Sequence, residues 1–203
     1  MRGSQMPDNS GLERKLSEIA LSGVTPRLLL HCCCAPCASH VLERLSPVFS
    51  ITVLFYNPNI RPDEEYDKRE AELRKLLSQA EYPNSVDMLA CAYDAEAFDA
   101  VALPFRDEPE GGRRCRECFK LRLGETARRA REGGYGFFAT TLSVGPRKDA
   151  ALINEVGGAF AGVYGVEYLS SDFKKLGGYQ RSVELSKRYG LYRQSYCGCC
   201  PGT

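Results

Sequence analysis

The 203-residue chain has no apolar run long enough to cross a bilayer, no surplus of either charge, and no internal repeat or low-complexity tract. The first absence excludes a membrane-spanning helix. The second, a net charge of only +1, excludes attraction of nucleic acid by the molecule as a whole, so any such contact has to be a local patch. The opening residues MRGSQMPDNSG lack an apolar segment and read as a loose leader, not a secretory signal. What remains, 43% hydrophobic and 26% charged, suits a globular protein of one domain.

Cysteine is the residue in excess. Ten cysteines stand mostly in three groups: HCCCAPC at 31–37, CREC at 115–118 and CGCC at 197–200. Such close thiols cannot staple distant parts of a fold. With no export signal, metal or redox chemistry is the better reading than a disulfide framework. Cys34–Cys37 and Cys115–Cys118 are CxxC pairs, each able to put two sulfurs on one metal or one cluster face. Both fall at predicted helix starts, where free N–H groups and the helix dipole favour thiolate. Spacing leaves zinc and iron–sulfur both open. The extra Cys32, Cys33 and tail thiols exceed what a closed zinc tetrahedron needs, which favours iron. Cys197 and Cys199 form a CxC pair able to close a strained disulfide or to reach a metal. Cys91 ends an apolar strand and reads as a small buried hydrophobe.

Periodicity predicts a helix from Ser10, a strand RLLLH at 27–31, a helix from Pro36 to Leu45 and a strand ITVLFYN at 51–57. A helix capped by Asp63 follows, then a strand SVDMLA at 85–90, a short helix at 94–102 and a helix from Cys115. Next come a strand GFFATT at 136–141, a helix at 149–161, a strand VEYLS at 166–170 and a helix at 179–190. The alternation predicts an α/β domain with a mainly parallel sheet flanked by helices. In such sheets ligands bind at the carboxyl ends of strands. HCCCAPC, YNPNIRP and TTLSVGPRK all fall there, so one shared site is expected. It would include Tyr56 and Asn57 from the second segment, and Thr141 and Lys148 from the third, where Ser143, Gly145 and Arg147 complete an anion-binding mixture. The third segment is no P-loop. His31 either serves the site as proton carrier or ligand partner, or is satisfied locally. DFKKLGGYQRS and LYRQSYC interleave cations with aromatics; Lys174, Tyr179, Arg181 and Arg193 are candidates for phosphates and unpaired bases. Arg113, Arg114 and Arg116, beside the second CxxC, are placed to stabilise an anionic centre.

Taken together and in order, HCCCAPC, YNPNIRPDEEY, CRECFKLR, TTLSVGPRK, DFKKLGGYQRS and YRQSYCGC resemble the cobalamin-independent epoxyqueuosine reductases of the QueH type, over about residues 27–199. The resemblance implies a HUP-like α/β fold and reduction of the epoxide of epoxyqueuosine, at the wobble position of a tRNA anticodon, to an alkene with loss of water. It implies an iron–sulfur cluster of the 4Fe–4S kind and a mononuclear iron. Cys33, Cys34, Cys37, Cys115 and Cys118 would be metal ligands, and Cys37 would serve the lone iron. Cys197 and Cys199 would have a redox or gating role, so that Cys37, Cys197 and Cys199 are the catalytic candidates. Cys32 and Cys200 receive no assignment. The expected organisation is a leader and helix over 1–25 and one catalytic domain over 26–203. The expected setting is cytoplasmic, with tRNA and an unidentified electron donor as partners and no membrane. The alternatives are a zinc-stabilised nucleic-acid-binding domain without catalysis and a metal-free thiol–disulfide oxidoreductase.

Overall fold

The computed structural model describes residues 9–89 and 91–199. The leader residues 1–8, Ala90 and the last four residues, Cys200 among them, lie outside the described residues. Along the chain run α1 (Ser10–Ser22), β1 (Arg27–His31), α2 (Ala35–Leu45), β2 (Ser50–Leu54), α3 (Asp63–Gln79) and β3 (Val86–Leu89). Then come α4 (Ala95–Ala102), α5 (Arg113–Glu132), β4 (Phe137–Thr140), α6 (Ala150–Tyr164), β5 (Glu167–Tyr168) and α7 (Gly178–Arg188). The strands form one sheet in the order β3-β2-β1-β4-β5, every pairing parallel. This is a doubly wound α/β fold of the Rossmann/HUP-like kind, as the alternation of elements predicts.

A central parallel strand covered on both faces needs apolar side chains at every position, which explains the unbroken Leu28-Leu29-Leu30. Leu28 and Leu30 join Val41, Leu42 and Leu73 in the core under α2 and α3. Leu29 points the other way, to Ala127, Ala130 and Phe138 under α5. Leu12 carries α1 into the first of these cores.

Element ends depart from the sequence reading. β2 stops at Leu54 because the next residues bond outside the ladder: the Tyr66 hydroxyl donates to the Phe55 carbonyl, and Asn57 Nδ2 donates to the Cys32 carbonyl at 2.9 Å. β5 pairs over two residues only. Asp63 is the first residue of α3 and caps nothing; with Glu64 and Glu65 it puts negative charge on the N-terminal turn, where the helix dipole favours it. The strand order reverses between β1 and β4, and a crevice opens there at the carboxyl edge. The two sides are tied together: Thr141 N–H donates to the His31 carbonyl at 2.9 Å, and Cys33 N–H to Thr141 Oγ1 at 3.1 Å.

Candidate functional site

The chain leaves β1 through Cys32, Cys33 and Cys34 and enters α2 with Cys34 as its N-cap and Pro36 in its first turn, a place where proline's missing N–H costs nothing. This entry gathers three sulfurs. The Sγ atoms of Cys33, Cys34 and Cys37 all lie within 4.8 Å of one another. Hydrogen bonding with the Cys34 and Cys37 thiols, with Arg122 assisting, holds the Cys33 thiol well below its usual range. The same bonds push Cys34 up to about 12 and Cys37 well above its ordinary value. Cys32, facing the core, is pushed up by burial.

The second CxxC approaches from α5. Cys115 is the third residue of that helix, accepts the Gly111 N–H at 3.2 Å, and shares a small apolar cluster with Cys33, Phe119 and Leu142. Cys118 packs with Phe98, Ala102 and Cys199. The two CxxC segments therefore face one region. Cys115 and Cys118 stand outside the tight trio, however; among the described residues only Cys33, Cys34 and Cys37 meet as three ligating atoms at that spacing. Burial pushes the Cys118 thiol up, and Arg122 offsets part of this.

Arg122, one turn beyond Cys118, is the residue that sequence reasoning missed. Its guanidinium is buried and donates through Nε to His31 Nε2 at 3.3 Å, through Nη2 to Asn57 Oδ1 at 2.5 Å and through Nη1 to Cys118 Sγ at 3.8 Å. The arginines singled out beside the second CxxC do not do this. Arg113 pairs with Glu108, Arg116 with Glu155, and Arg114 donates to the Arg106 carbonyl. On a helix 118 and 122 share a face, whereas 113 and 116 turn outward onto acidic partners. The readable signal was an arginine inside the otherwise apolar stripe of Phe119, Leu123 and Ala127. His31 is fully buried, and burial together with the Arg122 charge lowers it to about 3, so it is neutral. Its Nε2 lies 3.3 Å from Arg122 Nε and 3.2 Å from the Tyr56 carbonyl, and its Nδ1 2.8 Å from Thr140 Oγ1.

The C-terminal segment closes the far side. Arg69 donates to the Cys197 carbonyl at 3.0 Å and pairs with Glu65 at 2.7 Å; Arg61 N–H donates to the Gly198 carbonyl at 2.9 Å. Cys197 Sγ accepts from Lys148 Nζ at 3.3 Å, and that ammonium also pairs with Glu110 at 2.8 Å. The Cys199 S–H directed at Cys197, with Lys148 and Arg122 assisting, holds the Cys197 thiol well below its usual range. Burial works against the Lys148 charge, but Cys197 and Glu110 more than offset it and raise its pKa. No disulfide joins the described cysteines.

These walls enclose a cavity of about 290 Å³ that the trio, Cys197, Arg122 and Lys148 all line. Of the substrate-binding candidates, Asn57, Lys148, Tyr179 and Arg193 line it, and the Arg193 guanidinium lies 5.8 Å from the Tyr179 ring centre. Tyr56 does not; its ring packs with Leu29 and Leu54 in the core under α5. Thr141 sits behind Cys33, to whose N–H it is bonded. Lys174 donates to the Lys148 carbonyl at 3.0 Å and pairs with Asp172, so it props the wall from behind. Arg181 is taken up by Glu43 and Glu184 on the outer side of α7.

A doubly wound sheet whose switch-point crevice is lined with thiols and buried cations defines an α/β protein with a three-cysteine metal-binding group beside a small cavity. Residues 28–202 match the family profile described as epoxyqueuosine reductase QueH. Relatives bearing that name include one from Streptococcus pyogenes serotype M1, 44% identical over 87% of this chain and 70% of its own length. One from Staphylococcus epidermidis is 38% identical over 98% and 85%, and one from Thermotoga maritima 38% identical over 85% and 88%. The chain belongs to the epoxyqueuosine reductase QueH family and is thereby an oxidoreductase of tRNA modification. No described helix is long and apolar enough to cross a membrane.

Proposed function

We propose that this chain reduces the epoxide of epoxyqueuosine, at the wobble position of tRNA, to the alkene of queuosine, drawing electrons from an external donor through sulfur-ligated iron. The reaction consumes two electrons and two protons and releases the epoxide oxygen as water. The observation that carries the reading is the Cys33–Cys34–Cys37 trio, its sulfurs within 4.8 Å of one another and open to a cavity also lined by Cys197 and two buried cations. The donor set fits the group: all soft sulfur, with a thiolate already favoured at Cys33 and no carboxylate among the three. Cys33, Cys34, Cys115 and Cys118 would hold a 4Fe–4S cluster and Cys37 a mononuclear iron. When bound, such centres supply single electrons and a Lewis acid.

The chain's own residues do the rest. A cavity of about 290 Å³ admits one modified base and its ring but not a duplex. Arg193 offers hydrogen bonds to a polyhydroxyl ring, and Tyr179 a stacking face at the rim. Lys148 Nζ, kept protonated by Glu110 and Cys197, supplies a cationic donor in the cavity wall for a departing oxygen. His31 is sealed and neutral and carries no proton to the site. The test is anaerobic reconstitution with iron and sulfide, then reductant and epoxyqueuosine-containing tRNA, followed by nucleoside mass spectrometry. Queuosine should form, and C33S, C34S and C37S should each abolish it. A colourless protein that binds zinc alone and forms no queuosine would support the non-catalytic binding domain instead.

A further inference from the structure

Among the cations around the cavity, Arg122 alone is buried without a carboxylate. Lys148 has Glu110, and Arg69 has Glu65. Arg122 exposes only 2% of its surface, and the groups it meets are a neutral imidazole, an amide oxygen and the Cys118 sulfur. No carboxylate of the described residues pairs with it. A guanidinium sealed from water demands an opposite charge nearby. The group beside it that can carry that charge is sulfur: Nη1 lies 3.8 Å from Cys118 Sγ, and Cys33 and Cys197 line the same cavity. Its fork is aimed. Nε and Nη2 grip His31, which ends β1, and Asn57, which lies beyond β2, while Nη1 turns back to the second CxxC.

We propose that Arg122 is the counter-cation of the sulfur-ligated centre: placed between the two CxxC segments and lacking a carboxylate, it offsets the charge of the metal thiolates and raises the centre's reduction potential. The proposal deepens the functional reading above and rests on it. Four thiolates around a divalent metal or a cluster carry net negative charge, and each added electron increases it. A fixed cation in a dry site favours both binding and reduction. Arg122 is thus a positioning residue, acting through the sulfurs and not on the epoxide.

The test compares R122K, which keeps the charge, with R122Q, which keeps an amide donor for Asn57 but no charge. Each is reconstituted anaerobically and read by spectroscopic redox titration, by metal release to a chelator, and by thermal unfolding with and without metal. R122Q should have a more negative midpoint potential, release metal at least about ten-fold faster, and gain less thermal stability on loading than wild type. R122K should stay near wild type on all three. N57D, which sets a carboxylate beside an intact Arg122, should shift potential and release in the same direction as R122Q, and so serves if R122Q does not fold. If R122Q loses equal stability with and without metal and keeps its potential and release rate, Arg122 is a structural tie and the proposal is overturned. It is overturned equally if R122K is as impaired as R122Q. A wild-type protein that takes up zinc and not iron overturns the functional reading, while chelator release from the zinc-loaded variants still decides the role of Arg122.

Discussion

At the scale of the residue, this site is a matter of charge held out of water. Neighbouring S–H groups and nearby cations hold the Cys33 and Cys197 thiols well below their usual range. Removing the Lys148 ammonium by K148M should therefore return Cys197 towards an ordinary thiol. Its alkylation at neutral pH, followed by mass spectrometry in the metal-free protein, should slow by roughly ten-fold. His31 sets a pH limit with a definite sign. The folded protein binds its proton only near 3, the unfolded chain near 6.5. Between those values the unfolded state takes the proton and the folded state does not, so stability is full above about 6.5 and is withdrawn as pH falls towards 3. Urea midpoints measured across that range should decline in wild type and decline less steeply in H31Q. The cysteine groups were readable in the sequence because they are local in the chain. Arg122, Glu110 and Arg69 were not, since each owes its role to partners far away in sequence: His31, Lys148 and Cys197.

At the scale of the element, glycines decide how helices seat. In α6, a side chain at Gly157 would run into the Tyr168 ring of β5. G157A should therefore cost about 1–3 kcal/mol in chemical denaturation, the range for overpacking. The pair Gly177–Gly178 in DFKKLGGYQRS does two jobs. Gly177, at φ 76°, makes the turn into α7, and Gly178 lets that helix press on the Phe173 carbonyl and His40. The sequence reading saw only the charges in this segment, because a close approach leaves no periodic trace. Strand and helix identities were legible throughout from their apolar patterns. Their ends were not: β2 ends where Asn57 finds a partner in the Cys32 carbonyl, which no local pattern encodes.

At the scale of the whole molecule, a net charge of +1 leaves attraction of tRNA to a local patch, and the cavity rim is where the proposed reaction would need one. Arg147 lines that rim with its side chain 76% exposed and only a distant contact, 4.0 Å, to Glu110. Arg181 already has two carboxylates. R147E should weaken tRNA binding several-fold and flatten its salt dependence by about one phosphate contact. R181E should do markedly less, with filter binding or anisotropy at two salt concentrations as the measure.

The cavity is also built from opposite ends of the chain. Arg69 grips the Cys197 carbonyl across 128 positions, and Lys148 meets the same residue across 49. A polypeptide emerging from the ribosome therefore presents the Cys33–Cys37 trio long before residue 197 arrives to roof it. A chain truncated before residue 197 would therefore lack the wall that Arg69 and Lys148 hold in place, leaving the trio open on that side.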